Sequence, residues 1–241
     1  MKSIKFLVEK PIAHRGLHNR ECPENSLCAF EDAVKKGFPV ELDVQMTVDG
    51  ELIVFHDWRV SRMTDKQGVV GKLTLEGLNK LFLQNTKEKI PTLESVLELV
   101  GGRVPIVIEI KKKGFFVNDV CSVVRKKLKS YEGEIAISSF NPFVVRWYKI
   151  YMPDIVRGQN FIDFKDESTY IAFFKKIFLY CMWMVSNNDA DFFTIHAGML
   201  PKSFPVWIAL RRQKVILTYA IKNKKKYSKI KNIIDNKFFL L

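Results

Sequence analysis

The feature that most constrains the fold is an alternation of short apolar runs with longer amphipathic runs along the chain. The strand-like runs are residues 11–14, 40–44, 104–110, 134–139, 154–158, 191–196, 214–221 and 237–241. The helix-like runs are residues 25–36, 92–100, 117–130, 142–152, 165–185, 201–212 and 224–235. This order indicates a parallel sheet with helical crossovers. Eight strands in 241 residues predict a (β/α)8 TIM barrel, with a doubly wound open sheet as the alternative.

One stretch, residues 46–90, interrupts this alternation. It contains a turn signal at Asp49-Gly50, a strand-like run at residues 51–57 and a helix-like run at residues 74–83. We therefore expect a single domain over residues 1–241, with residues 46–90 as a small insertion after the second strand. The last run stops at Leu241. We expect a shortened C-terminal strand that leaves the barrel partly open or invites a partner to cover its edge.

The net charge of +13 favours anionic partners such as phosphates or an anionic membrane surface. Nucleic acid is not expected as a partner, because no stacking platform or recognition helix is evident. The apolar segment of residues 170–185 is interrupted by Lys175 and Lys176 and is too short to span a membrane. It is typical of a helix buried on one side, with an interfacial membrane helix as the alternative.

The cysteines and the N-terminal residues bear on the location of the protein. None of Cys22, Cys28, Cys121 and Cys181 forms a C-x-x-C pair or a zinc-site pattern. This usage indicates a reducing compartment, with a disulfide as the alternative. The first residues contain no cleavable leader pattern. We expect a cytoplasmic protein that can also bind peripherally at a membrane.

Charged side chains stand at the ends of several predicted strands. Glu41 and Asp43 are two residues apart, as are Glu109 and Lys111, so each pair shares one face of its strand. His14 ends the first strand, and the carboxyl ends of barrel strands form one face. Because buried carboxylates are costly without a counter-charge, we expect a divalent cation there. Ligands that are all oxygen favour Mg2+ or Ca2+ over zinc.

Six motifs follow one another along the first part of the chain, and they are AHRG at 13–16, PENS at 23–26, ELDVQMTVDGELIVFHD at 41–57, IPTLESVL at 90–97, IEIK at 108–111 and SSFNP at 138–142. In these motifs the chain resembles the glycerophosphodiester phosphodiesterase family, within the phosphatidylinositol phospholipase C-like TIM-barrel group. The first half of the chain matches almost continuously, and the match thins from about residue 151.

The resemblance implies a binding role for five residues. Glu41, Asp43 and Glu109 correspond to the metal ligands of the family. Arg15 and Lys111 correspond to groups that hold the substrate phosphate, for which a guanidinium fork is suited.

The resemblance also implies the reaction. His14 and His56 correspond to the acid–base pair, and we favour His14 as base and His56 as acid. The family cleaves a glycerophosphodiester to sn-glycerol 3-phosphate and an alcohol. The wider group implies a first attack by the glycerol hydroxyl of the substrate, which forms a cyclic phosphate that water then opens.

The sequence departs from the family near its end. Leu217 stands where the family usually has a Trp near the glycerol, and Tyr219, on the same face, is the expected substitute. Two alternatives to a soluble glycerophosphodiesterase stay open. One is a lysophospholipase D-like enzyme at membrane surfaces, and the other is a degenerate barrel that only binds anionic phosphodiesters.

Overall fold

The computed structural model describes residues 3–162, 183, 189–221 and 224–239. Strands β1 to β9 are Ile12–His14, Val40–Met46, Leu52–Val54, Ile106–Ile110, Ile135–Ser139, Val156–Phe161, Phe192–His196, Val215–Tyr219 and Asn236–Phe239. Helices α1 to α8 are Phe6–Glu9, Leu27–Lys35, Leu75–Leu78, Leu93–Val100, Asn118–Leu128, Pro142–Tyr151, Phe204–Arg211 and Lys224–Ile230. Short 3-10 helices lie at Val60–Arg62, Val70–Lys72 and Ala197–Met199. The predicted helix of residues 165–185 falls almost entirely outside the described residues.

Parallel strands close into a barrel in the order β1-β9-β8-β7-β6-β5-β4-β2, and β2 then pairs with β1. The TIM-barrel prediction is confirmed, and the open sheet is wrong. The expectation of a partly open barrel is also wrong. β9 is short, but it pairs with β1 through Phe238 and Phe239 and with β8 through Asn236 and Lys237. These contacts occupy both edges of the strand.

The side chains of strand β2 alternate between an apolar environment outside the barrel and a polar environment inside it. Its outward side chains pack beneath the surrounding helices in the main hydrophobic core, and they are Val40, Leu42 and Val44. Its inward side chains are polar and equally buried, and they are Glu41, Asp43 and Gln45. Because side chains alternate along a strand, one strand supplies both the core and the barrel interior.

The lower part of the barrel interior, toward the N-terminal ends of the strands, is apolar. Its side chains come from most of the parallel strands and pack with Phe6 and Leu7 of α1. They are Ile12, Val107, Ala136, Val156, Phe192, Leu217 and Phe238. Helix α1 therefore covers the lower end of the barrel, and the polar side chains lie above this layer.

Side-chain caps begin several of the helices that follow the strands. Ser26 accepts a hydrogen bond from Ala29 N at 3.2 Å, and Thr92 accepts one from Ser95 N at 3.1 Å. Asn141 accepts one from Phe143 N at 3.0 Å. These caps satisfy orphan amide groups and hold the start of each helix beside the upper end of the barrel.

The predicted insertion has a strand and short helices. β3 pairs antiparallel with β2, and it ends at Val54, so that His56 lies in the following loop. The helix expected at residues 74–83 is limited to Leu75–Leu78, with Thr74 as its N-cap. A small hydrophobic core of its own, which includes Val60, Val70 and Leu78, supports the insertion.

Two further observations bear on the environment of the chain. Cys22 and Cys28 form a disulfide with Cα atoms 5.3 Å apart, which is the alternative that the sequence left open. Cys121 is free and buried. Among the described residues, no helix is both long enough and apolar enough to cross a bilayer.

Candidate active site

Strand register brings the acidic residues together. His14 is the register partner of Glu41, and Asp43 is the register partner of Glu109 on the next strand. One carboxylate oxygen from each of Glu41, Asp43 and Glu109 lies within 4.8 Å of the others, and all three residues are buried or nearly so. The three acidic residues that the sequence proposes as metal ligands therefore share one small volume.

The electrostatics of this cluster fit a cation. Burial, followed by repulsion from Asp43 and Glu109, raises the pKa of Glu41 well above its ordinary value. Burial also raises the pKa of Glu109, although Lys111 opposes the shift. Burial acts to raise the pKa of Asp43, but Lys111 and Arg15 outweigh it and hold that pKa at about 2. An ion bound to the three oxygens would offset this repulsion, and carboxylate donors suit Mg2+ or Ca2+.

Two cationic side chains flank Asp43 on opposite sides. Arg15 Nε lies 3.2 Å from Asp43 Oδ2, and Lys111 Nζ lies 3.6 Å from Asp43 Oδ1 and 3.3 Å from Glu109 Oε1. Arg15 Nη1 donates to Glu24 Oε1 at 2.8 Å. Two fixed cations beside the carboxylates make a region suited to an anionic group such as a phosphate.

A tight turn after β1 places Arg15. Its φ is 58° and that of Gly16 is 80°, both in the left-handed region. A Cβ on Gly16 would lie 2.7 Å from the backbone carbon of Ala29, so only glycine fits there. The turn also directs the Arg15 backbone N–H to Glu41 Oε2 at 3.0 Å.

The two proposed catalytic histidines have different surroundings. Burial and the neighbouring Arg15 lower the pKa of His14 to about 3, so this imidazole is neutral near pH 7. Its ring stacks on Phe238 of β9, with 6.0 Å between centroids and an interplanar angle of 7°. Burial also lowers the pKa of His56, although Asp43 and Asp57 favour its protonated form.

Asp57 orients His56. His56 Nδ1 lies 2.6 Å from Asp57 Oδ1, and a carboxylate only accepts, so the proton of the neutral ring lies on Nδ1. Arg62 Nε donates to the other oxygen of Asp57, and Arg62 Nη2 donates to Glu24 Oε1 at 2.6 Å. Arg62 thus connects the carboxylate that holds His56 to the carboxylate that holds Arg15.

These groups border one cavity of about 490 Å³. Its lining includes both proposed catalytic histidines, Arg15, Lys111, Glu41 and Glu109, together with Phe140, Asn160, Thr194, Tyr219 and Phe238. Asn160 Nδ2 donates to Glu109 Oε2 at 3.0 Å. Asn160 Oδ1 and Thr194 Oγ1 are buried without a hydrogen-bond partner among the described residues, as expected for atoms that await a ligand. Tyr219 reaches this cavity, whereas Leu217 lies in the apolar layer below.

Some residues around the site were not singled out from the sequence. Asn25 donates to Asp43 Oδ2 at 3.0 Å from a backbone with φ of 59°. Glu24 and Asn25 lie within the PENS motif and Asp57 within FHD, so the motifs contained this signal. Arg62 and Asn160 lie outside those motifs, and only their contacts reveal them.

The comparisons with known proteins agree with this geometry. A model of the glycerophosphoryl diester phosphodiesterase family matches residues 14–169. Glycerophosphodiester phosphodiesterases of Caldanaerobacter subterraneus and Bacillus altitudinis are 39% and 34% identical, each over 157 residues. Each match covers 61% of this chain and 64% of the relative, so it spans less than two thirds of either protein.

A solved structure supports the same assignment. An Oleispira antarctica phosphodiesterase, in complex with the product sn-glycerol 3-phosphate, superposes with a TM-score of 0.76 at 25% identity. The superposition covers 96% of this chain and 93% of that one. Since the family model covers more than half of the sequence, the resemblance inferred from the motifs is confirmed. The chain belongs to the glycerophosphoryl diester phosphodiesterase family.

Proposed function

We propose that residues 1–241 act as one domain, with residues 46–90 as its insertion, that hydrolyses glycerophosphodiesters to sn-glycerol 3-phosphate and an alcohol. The observation that carries the proposal is the convergence of three carboxylates, two cations and two imidazoles on one cavity, in a chain of this family. A small-molecule glycerophosphodiester is the proposed substrate.

Glu41, Asp43 and Glu109 would hold a divalent cation, Mg2+ or Ca2+. When bound, the ion supplies positive charge that stabilises the phosphoryl oxygens as the nucleophile adds. Arg15 and Lys111, which lie beside the carboxylates of Asp43 and Glu109, would hold the phosphate. Tyr219, across the cavity, is the proposed contact for the glycerol.

The histidines divide the proton transfers. His14 is neutral and takes a proton from the attacking hydroxyl, which is the glycerol hydroxyl of the substrate in the first step. His56, whose Nδ1 is held by Asp57, gives a proton to the leaving alcohol oxygen as its bond to phosphorus breaks. Water then opens the cyclic phosphate, with the two roles reversed.

We also propose a location for the protein, which is the cytoplasm with a peripheral contact at anionic membranes. The Cys22–Cys28 bond stands against the reducing compartment, because such bonds are rare there. The apolar segment 170–185 that suggested a membrane contact falls almost entirely outside the described residues.

Hydrolysis of glycerophosphocholine, followed by release of sn-glycerol 3-phosphate, tests the reaction. EDTA should abolish turnover, and Mg2+ or Ca2+ should restore it. His14→Ala and His56→Ala should each lower kcat by at least about a hundredfold. His18→Gln is the matched control, because this histidine is outside the proposed acid–base pair, and it should retain activity.

Each of these experiments has an outcome that would contradict the proposal. Turnover that persists in EDTA would remove the metal role of the carboxylates. Unchanged turnover in either alanine variant would remove that histidine from the mechanism. Substrate binding without turnover under all metal conditions would favour the degenerate barrel.

A further inference from the structure

The loop between β4 and α5 carries two exposed phenylalanines. Phe116 is 90% exposed and Phe115 is 57% exposed. The Phe115 ring contacts only the edge of Phe143, at 5.2 Å between centroids, among the described ring pairs. Side chains of this size are usually buried, and adjacent exposed ones mark an interaction surface.

This loop borders the catalytic cavity. It begins two residues after Glu109, and Lys112, Lys113 and Gly114 line the cavity. Trp58, 37% exposed, lines the same cavity from the insertion, and Lys113 Nζ lies 4.5 Å from the centre of its ring. Any surface that received the two phenylalanines would therefore face the opening of the cavity.

The charge of the loop indicates which kind of surface the two phenylalanines contact. Residues 111–118 read KKKGFFVN, in a chain of net charge +13. Lys111 is buried beside Asp43 and Glu109, and Lys112 pairs with Asp119, so Lys113 is the lysine of this loop that presents its charge beside the exposed rings. Exposed aromatic rings beside a lysine match the two layers of an anionic bilayer, which are acyl chains below and phosphates above. Trp58 beside Lys113 has the amphipathic character typical of the membrane interface.

We propose that Trp58, Lys113, Phe115 and Phe116 form a docking rim that seats the opening of the cavity on an anionic lipid surface. The phenylalanines enter the acyl boundary, and Lys113 contacts lipid phosphates. The bound enzyme then meets phosphodiesters that are presented at a membrane, such as lysophospholipids. That consequence rests on the proposed function, whereas binding to the membrane does not.

Co-sedimentation of the full chain with vesicles tests the docking. Vesicles of phosphatidylcholine with phosphatidylserine should bind the protein, and vesicles of phosphatidylcholine alone should bind it much more weakly. Added salt should release it. Phe115→Ser with Phe116→Ser should lower the partition coefficient at least about tenfold, because two exposed rings no longer leave water on binding.

A matched control comes from the opposite end of the barrel. Ile150 and Leu210 are 56% and 58% exposed, and each lies near the C-terminal end of a helix that leads into the start of a strand. Ile150→Ser with Leu210→Ser removes two exposed apolar side chains and should leave vesicle binding unchanged. Circular dichroism and thermal unfolding establish that both double variants are folded.

Several outcomes would overturn the docking rim: no sedimentation of the wild type, unchanged binding by the phenylalanine variant, or equal loss in the control. A concentration-dependent dimer that only the phenylalanine variant abolishes, without vesicle binding, would assign the surface to a second copy of the chain.

Activity separates this inference from the proposed function. The phenylalanine variant should hydrolyse soluble glycerophosphocholine at the wild-type rate and lose rate on lysophosphatidylcholine in vesicles. Vesicle binding without any hydrolysis would contradict the proposed function and leave the docking rim standing. An equal loss of rate on both substrates would contradict a role in docking alone.

Discussion

The two layers inside the barrel use the same strands for different purposes. In the lower layer the strands present apolar side chains, and two residues later they present polar ones. The pairs are Ile12 and His14, Val107 and Glu109, Ala136 and Ser138, Phe192 and Thr194, and Leu217 and Tyr219. The first members are packed like a core. Several of the polar residues that follow them line the cavity.

The two layers contribute differently to the stability of the fold and to the reaction. Burial of the apolar layer stabilises the fold, whereas the buried carboxylates above it repel each other and cost stability when no ion is bound. We therefore expect substitutions in the upper layer to lower activity without lowering stability. Substitutions in the lower layer should do the reverse.

The largest effect is expected from Glu41→Gln. Removal of one proposed ion-binding carboxylate should lower kcat/KM by roughly a thousandfold, because several kcal/mol of transition-state stabilisation depend on it. When folding raises the pKa of a carboxyl group, that group lowers the stability of the protein as the pH rises above the ordinary pKa of 4.5. In EDTA at neutral pH, the variant should therefore resist urea better than the wild type.

Mg2+ or Ca2+ should reverse that order of stability, since the ion stabilises the wild type more than the variant. A Glu41→Gln variant that is less stable than wild type in EDTA would refute the view of the upper layer as a strained acidic cluster. Full activity in the same variant would refute its metal role.

Phe192→Ala should have the converse effect. The Phe192 ring is fully buried in the lower layer and lies against Gly158, where a Cβ would be 2.2 Å away. Its loss leaves a cavity and should lower the free energy of unfolding by about 3–5 kcal/mol. Urea unfolding measures this change. Below the new midpoint, kcat should stay close to wild type, and a large fall in kcat would show that the two layers are coupled.

Arg62→Gln should give a smaller effect. Burial acts to raise the pKa of Asp57 and of Glu24, and the hydrogen bonds from Arg62 are the largest of the effects that outweigh it and keep each pKa low. Loss of Arg62 should lower kcat about tenfold, as for other outer positioning contacts. Asp57 would then take up a proton at higher pH and release His56, so the acid limb of the pH–rate profile should move upward.

Lys66→Gln is the matched control for this variant, because it removes an exposed cation from the same insertion. It should change neither kcat nor the profile. An Arg62→Gln variant whose rate falls without any shift of the acid limb would limit Arg62 to a structural role.

Much of the fold could be predicted from the sequence. The alternation of strands and helices, and the pairs at Glu41/Asp43 and Glu109/Lys111, follow from local periodicity, which side-chain geometry enforces within each element. The motifs then predicted which strand ends carry the site. The roles of those residues stay predictions until they are tested.

Other features could not be predicted. The closure of the barrel by β9, and the packing of Phe238 against His14, join residues more than two hundred positions apart. The link from Arg62 to both Glu24 and Asp57 depends on where two loops meet above the barrel. The disulfide likewise depends on the path of a single loop.

The sequence by itself determined the alternation of strands and helices, the polarity of each strand face and the family, because these depend on neighbours along the chain. Only the tertiary structure decided which distant groups touch: three carboxylates around one small volume, and two exposed phenylalanines beside the cavity. The physical reason is that register and loop paths follow from closure of the whole barrel, which no local pattern encodes.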